Sequence, residues 1–117
     1  MHQGTGPGET AEPLTGPDAF VELGRVVDRL RSMPLTRLAA PWTTFPSLAA
    51  GARALAQELA DRGALLADHE PHAVPDVGDA AVGDQVAVTG REVLDLSPSA
   101  ADLAWMAQRL RDFRLSV

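Results

Sequence analysis

The sequence predicts an all-α fold. It would be a small antiparallel bundle of about four helices over 17–33, 46–67, 79–96 and 98–115, preceded by a flexible N-terminal tail. Three observations predict it. Apolar residues recur at helical spacing, most clearly at Leu48, Ala52, Leu55, Leu59, Gly63 and Leu66, which is the stripe of an amphipathic helix that needs an apolar partner. Two further stripes, Phe20–Leu23–Val27–Leu30 and Leu103–Met106–Leu110–Phe113–Val117, repeat the pattern. Between them lie connectors broken by Pro34, Pro41 and Pro71. Proline cannot continue a helix, so successive helices turn back on one another.

Residues 1–16 carry four glycines, two prolines and no large apolar residue beyond Met1 and Leu14. Such a segment cannot offset the entropy of ordering, so a disordered tail is expected before a single domain at 17–117. The first helix should open at Gly16-Pro17-Asp18, since proline suits a first turn and Asp18 and Glu22 suit its positive end. Val26 and Met33 flank its stripe, and Glu22–Arg25 and Arg25–Asp28 are spaced as surface pairs. Pro34 stops it. The connector PLTRLAAPWTTF, 34–45, has room for one turn near Thr36–Ala39 and is anchored by Leu38, Trp42 and Phe45.

The second helix starts with Pro46 in its first turn or Ser47 as its cap, and Glu58 and Arg62 stand four apart in the favourable order. The stretch 79–96 supports two readings. As a helix it aligns Val82, Val86, Thr89, Val93 and Leu96, with Asp79 as cap and Arg91–Asp95 as a pair. As a strand it offers only Val86 and Val88, between Gly83 and Gly90. Five stripe positions favour the helix. The last helix follows Ser97 as cap and Pro98 as its first residue.

A chain of 117 residues supports one domain. Cysteine is absent, which excludes disulfides, thiolate catalysis and cysteine-bound metals. Lysine, isoleucine, asparagine and tyrosine are absent too. All have A/T-rich codons, so the composition points to a high-GC genome such as an actinobacterium's. The net charge of −6, with arginines interleaved among acids, argues against a nucleic-acid face. No apolar run reaches the length of a membrane span, and the N-terminus lacks the features of a secretory signal, so a cytoplasmic protein is expected.

Imidazoles and carboxylates gather only in DHEPHAVPD, where His69, His72 and Asp76 form a candidate metal or ligand site. The histidines stand three apart around Pro71 and do not match the helical zinc pattern. Trp42, Phe45 and Trp105 lie off the stripes and are the interaction candidates, since aromatic residues dominate binding hot spots. No GxSxG elbow, phosphate loop or lysine is present, so no enzyme and no cofactor are expected. The function expected is a non-catalytic helical protein-interaction domain that self-associates, as a homodimer or other homo-oligomer, or else binds another protein; no nucleic acid and no membrane are expected as partners. The alternative is a small metal- or ligand-binding module built on His69 and His72. In size and helix content the chain also resembles the small helical WXG100-like partners of actinobacterial type VII secretion. Trp42-Thr43-Thr44 stands where their W-x-G turn would be, and no tyrosine is available for their C-terminal signal. That resemblance implies a helical partner for secretion machinery.

Overall fold

The computed structural model describes residues 14–117, which hold five α-helices and one 3-10 turn. The helices are α1 (Gly16–Arg31), α2 (Leu35–Leu38), α3 (Leu48–Ala67), α4 (Val82–Asp95) and α5 (Ala100–Ser116), with the 3-10 turn at Asp79–Ala81 leading into α4. The all-α bundle expected from the stripes is what the chain forms, and the ambiguous stretch 79–96 is helical. Among the described residues no strand occurs, only an isolated bridge between Trp42 and Phe45. Within the tail expected at 1–16, Leu14 packs against the core and Thr15 precedes α1. The remaining tail residues, 1–13, lie outside the described residues.

Local chemistry sets the helix ends. The Asp18 carboxylate accepts hydrogen bonds from the Thr15 N–H at 2.9 Å and its hydroxyl at 3.0 Å, and Ser47 caps α3 through the Ala50 N–H at 3.0 Å. At α5 the cap is Ser99 rather than Ser97. The Ser99 hydroxyl oxygen accepts from the Asp102 N–H, and the Asp102 carboxylate accepts from the Ser99 N–H. That reciprocal box satisfies two orphan donors at once. Ser97 instead adopts a left-handed turn with φ of 53°.

Side-chain contacts give the helix directions. Gly16 lies against Leu103 and Arg29 donates to the Val117 carbonyl at 3.1 Å, so α1 and α5 run the same way. Gly83 faces Leu30 while Gly90 faces Leu23, so α4 is antiparallel to α1. Arg62 meets Asp102 and Arg109 meets Glu58, so α5 is antiparallel to α3. The α3 and α4 helices depart from the antiparallel order expected of successive helices: they run side by side in one direction, because the segment 68–81 carries the chain back up along α3 before α4 begins.

The core gathers Leu23, Val26 and Leu30 of α1, Leu55 and Leu59 of α3, Val82, Val86 and Val93 of α4, and Met106, Leu110 and Phe113 of α5. One stripe is shifted from expectation. Phe20 is 58% exposed and Ala19 is buried in its place, because α5 approaches α1 closely enough at Gly16 that only small residues fit between them. A similar constraint sits at Gly90, where a Cβ would fall 2.5 Å from a Leu23 methyl. Gly24 faces open space.

Glu22 is the other surprise. It is 4% exposed, and Arg114 forks onto it with bonds of 2.6 and 3.1 Å. Arg25 and Arg111 each stand 3.7 Å away. A buried carboxylate is tolerated only when paired and hydrogen-bonded, and this one ties α1 to α5. The Arg114 hydrogen bond holds its carboxyl below the ordinary 4.5, against the opposing effect of burial, and the attraction of Arg114, Arg25 and Arg111 adds to it. The expected Glu22–Arg25 pair is present within this cluster, whereas Glu58 and Arg62 each reach across to α5 instead of to each other.

Three substitutions test this packing. Gly24→Ala should raise the urea midpoint, worth about 0.5–1 kcal/mol from helix propensity. Gly90→Ala should lower it by about 1 kcal/mol or more through overpacking. Because the folded-state value of Glu22 is depressed, its contribution is fully present above the unfolded value and is lost as pH falls through the folded one. Glu22→Gln should therefore cost about 1–3 kcal/mol at neutral pH and flatten the acid limb below about pH 4.5. Urea titrations across that limb would show no change if Glu22 were merely a surface residue.

Candidate functional site: a groove between two parallel helices

Side-by-side packing of α3 and α4 leaves a groove of about 780 Å³ on the outer face, closed along one edge by the returning segment. The α3 wall is Ala60, Gly63, Ala64 and Ala67, none larger than a methyl group. The α4 wall runs from Asp84 through Gln85, Val88, Thr89 and Glu92 to Asp95. A Cβ on Gly63 would find nothing nearer than Val93 at 3.9 Å and Leu96 at 4.0 Å. A methyl group there would sit in ordinary contact with α4, so the glycine is not required by crowding.

The third wall, 68–78, has no regular backbone pairing and is held by side chains. It leaves α3 through a left-handed Asp68, with the His69 N–H returning to the Ala64 carbonyl at 3.0 Å. Gln57 then grips it from α3. Its amide nitrogen donates to the His72 carbonyl at 2.9 Å, and its amide oxygen accepts from the Val74 N–H at 2.7 Å. Gln85 donates to the Pro75 carbonyl at 2.7 Å from α4, and Arg53 stands 3.1 Å from Asp76. This strap is a bridge of side-chain amides between the two helices.

The groove is mainly apolar, with polar and acidic side chains along one edge. Val77 and Val88 are largely exposed, at 61% and 60%, which leaves apolar area facing outward. The Thr89 hydroxyl donates into its own helix, to the Gln85 carbonyl at 2.8 Å. The Oε1 atom of Gln85 is buried and accepts no hydrogen bond from the described residues. Asp84 is held by Arg31 at 2.6 Å. Glu92 and Asp95 are exposed and have no ion-pair partner among the described residues. The groove thus combines an apolar floor with an unbalanced negative edge.

The residues singled out from sequence are spread over three places. His69 and His72 come together at the groove, ring centroids 5.6 Å apart, while Asp76 turns to Arg53 and to the Gly78 N–H. No group of three or more His, Asp or Glu positioned for a metal ion occurs among the described residues. Trp42 stacks on Phe45 at 5.9 Å and meets Phe113 edge-on at 5.2 Å. Its indole N–H donates to the Ser116 carbonyl at 3.3 Å, so this pair covers the end of α5. Gly51 makes room for that indole, whose ring would collide with any Cβ there. Trp105 lies near the other end of α5 beneath Arg62, whose guanidinium carbon is 4.1 Å from the ring centre. Asp102, which also binds Arg62, is held below the ordinary carboxylate value by the Ser99 hydroxyl first and Arg62 second.

The groove residues Gln85, Val88, Glu92 and Asp95 were not singled out. One signal was present: once 79–96 is read as a helix, Val88 falls off its buried stripe and must face outward. No protein-family model matches this chain, and no curated protein or solved structure is significantly similar to it. No helix among the described residues is long and apolar enough to cross a membrane.

Gln57→Ala should release two backbone groups of the strap while leaving the core intact. The expected cost is about 1–2 kcal/mol, together with faster proteolytic cutting between His72 and Val77. Unchanged cutting would mean that Gln57 does not anchor the strap.

Proposed function

We propose that this chain is a non-catalytic protein-interaction domain, acting in the cytoplasm, whose docking face is the groove between α3, α4 and the strap. The observation that carries the reading is the groove itself: an outward-facing, mainly apolar concavity of about 780 Å³. It lies within the size range of binding sites, and no part of the described chain fills it. Exposed apolar residues at the edge of a recess mark interaction surfaces more often than they mark ordinary surface. Trp42, Phe45 and Trp105 make intramolecular contacts at the two ends of α5, and in this reading they support the scaffold. The negative edge disfavours phosphate backbones, which supports a protein partner over a nucleic acid.

Self-association is the form of this reading in which a second copy fills the groove. Light scattering at tens of micromolar then returns a dimer mass, and a strictly monomeric mass restricts the partner to another protein. The imidazole pair at the groove favours one second reading, a small ligand-binding module that uses His69 and His72. A melting temperature unmoved by divalent metals and by chelator would remove its metal-dependent form.

Val88→Glu places a charge on the groove without touching the core. Leu115→Glu makes the same kind of change on α5, where Leu115 is 68% exposed and does not line the groove. A partner co-purified from the source organism should be lost by the first variant and kept by the second. Retention by both would show that the groove is not the docking face.

A further inference from the structure

Resting on that reading, we infer that the partner element docked in the groove is a basic amphipathic α-helix. Its apolar face would lie on the alanine and glycine wall of α3, and its cations would lie against Glu92 and Asp95.

Charge selects the sign of the occupant. The groove is lined by Asp84, Glu92 and Asp95 and by no arginine. Arg31 already neutralises Asp84, whereas Glu92 and Asp95 stand three apart on one edge of α4, where neighbouring like charges repel. A cation from outside relieves that repulsion. Within the chain, seven of the ten arginines form other ion pairs, namely Arg25, 31, 53, 62, 109, 111 and 114, and the Arg91–Asp95 pair expected from spacing does not form among the described residues. Residues 1–13 contain neither lysine nor arginine. A second copy would bring the same carboxylates to the same place, which disfavours two grooves facing each other.

Shape selects a helix. The α4 wall from Asp84 to Asp95 spans about three turns, or roughly 16 Å, and the facing wall on α3 recurs at Ala60, Gly63, Ala64 and Ala67 along a single face. Side chains of Leu size can reach a floor made of methyl groups and a glycine. Among the described residues there is no sheet edge on which a strand could add, so the groove suits helix-in-groove recognition.

The test uses the full chain and synthetic helical peptides of about five turns. One has Leu and Lys segregated to opposite faces, a second replaces Lys by Glu, and a third keeps the Leu/Lys composition but scrambles the order. The Leu/Lys helix should bind, with amide shifts confined to 60–67 and 84–96, and the other two should not. Glu92→Arg should weaken that binding on the order of tenfold. Asp28→Arg, the same charge change on the exposed side of α1, should leave it unchanged. Equal binding of the scrambled peptide, or equal loss in both variants, would reduce the effect to general charge attraction and overturn the inference. Groove shifts that depend on protein concentration without peptide would make a second copy the occupant and overturn it as well. If no peptide binds while Val88→Glu still removes a natural partner, the basic-helix inference falls and the docking face stands. If Val88→Glu keeps that partner, the docking face itself falls.

Discussion

Running α3 and α4 in the same direction obliges the chain to travel back along α3 before the next helix can begin. Everything distinctive about this molecule depends on that return. An extended chain covers about 3.3 Å per residue against 1.5 Å for a helix, so a short non-helical segment with prolines at 71 and 75 can make the journey. It has no neighbouring strand with which to pair. Its backbone groups are therefore met by Gln57 from one helix and Gln85 from the other. The strap also forms one edge of the groove, so the feature that solves a topological problem creates the recess.

The opposite side of the bundle is organised by α5. Arg114 forks onto Glu22 of α1, Arg109 forks onto Glu58 of α3, and Asp102 takes Arg62 of α3 while capping its own helix. These pairs clamp α5 along both flanks and fix its register. Part-buried pairs of this kind specify an arrangement more reliably than they stabilise it, since desolvation offsets much of the attraction. The consequence for function is a division of labour. The charged side chains of α1, α3 and α5 are largely spent on structure, and the free carboxylates that remain beside a recess are on α4.

Much of the scaffold was legible in the residues. The stripe Leu48–Ala52–Leu55–Leu59 identified the central helix, and its four members are all buried. The proline breaks bounded the helices to within a few residues. What was not legible depends on distances between elements. Ala19 displaces Phe20 from the core only because α5 comes close at Gly16, and Gly90 reads as a flaw in a helix until Leu23 is seen pressing on it. Glu22 looked like half of a surface pair because its real partner lies far along the chain on α5. The groove was hidden for the same reason. His69 and His72 stand out in the sequence as candidate ligands, but Gln85, Glu92 and Asp95 acquire meaning only when the strap folds back beside them.

The forked arginine pairs have a consequence for how the protein's charge varies in alkali. Its fixed cations are guanidinium groups alone, because lysine is absent, and tyrosine and cysteine are absent with it. Arg109 and Arg114 are held above even the ordinary arginine value, chiefly by their hydrogen bonds to Glu58 and Glu22. Between the imidazoles and the guanidinium groups this chain has no side chain of an ordinary alkaline pKa to titrate. The side-chain charge then holds constant at −6, and the ion pairs around α5 keep their partners throughout. The titration curve of this chain has a long alkaline plateau, and its electrostatic weak point lies entirely on the acid side, at the carboxylates.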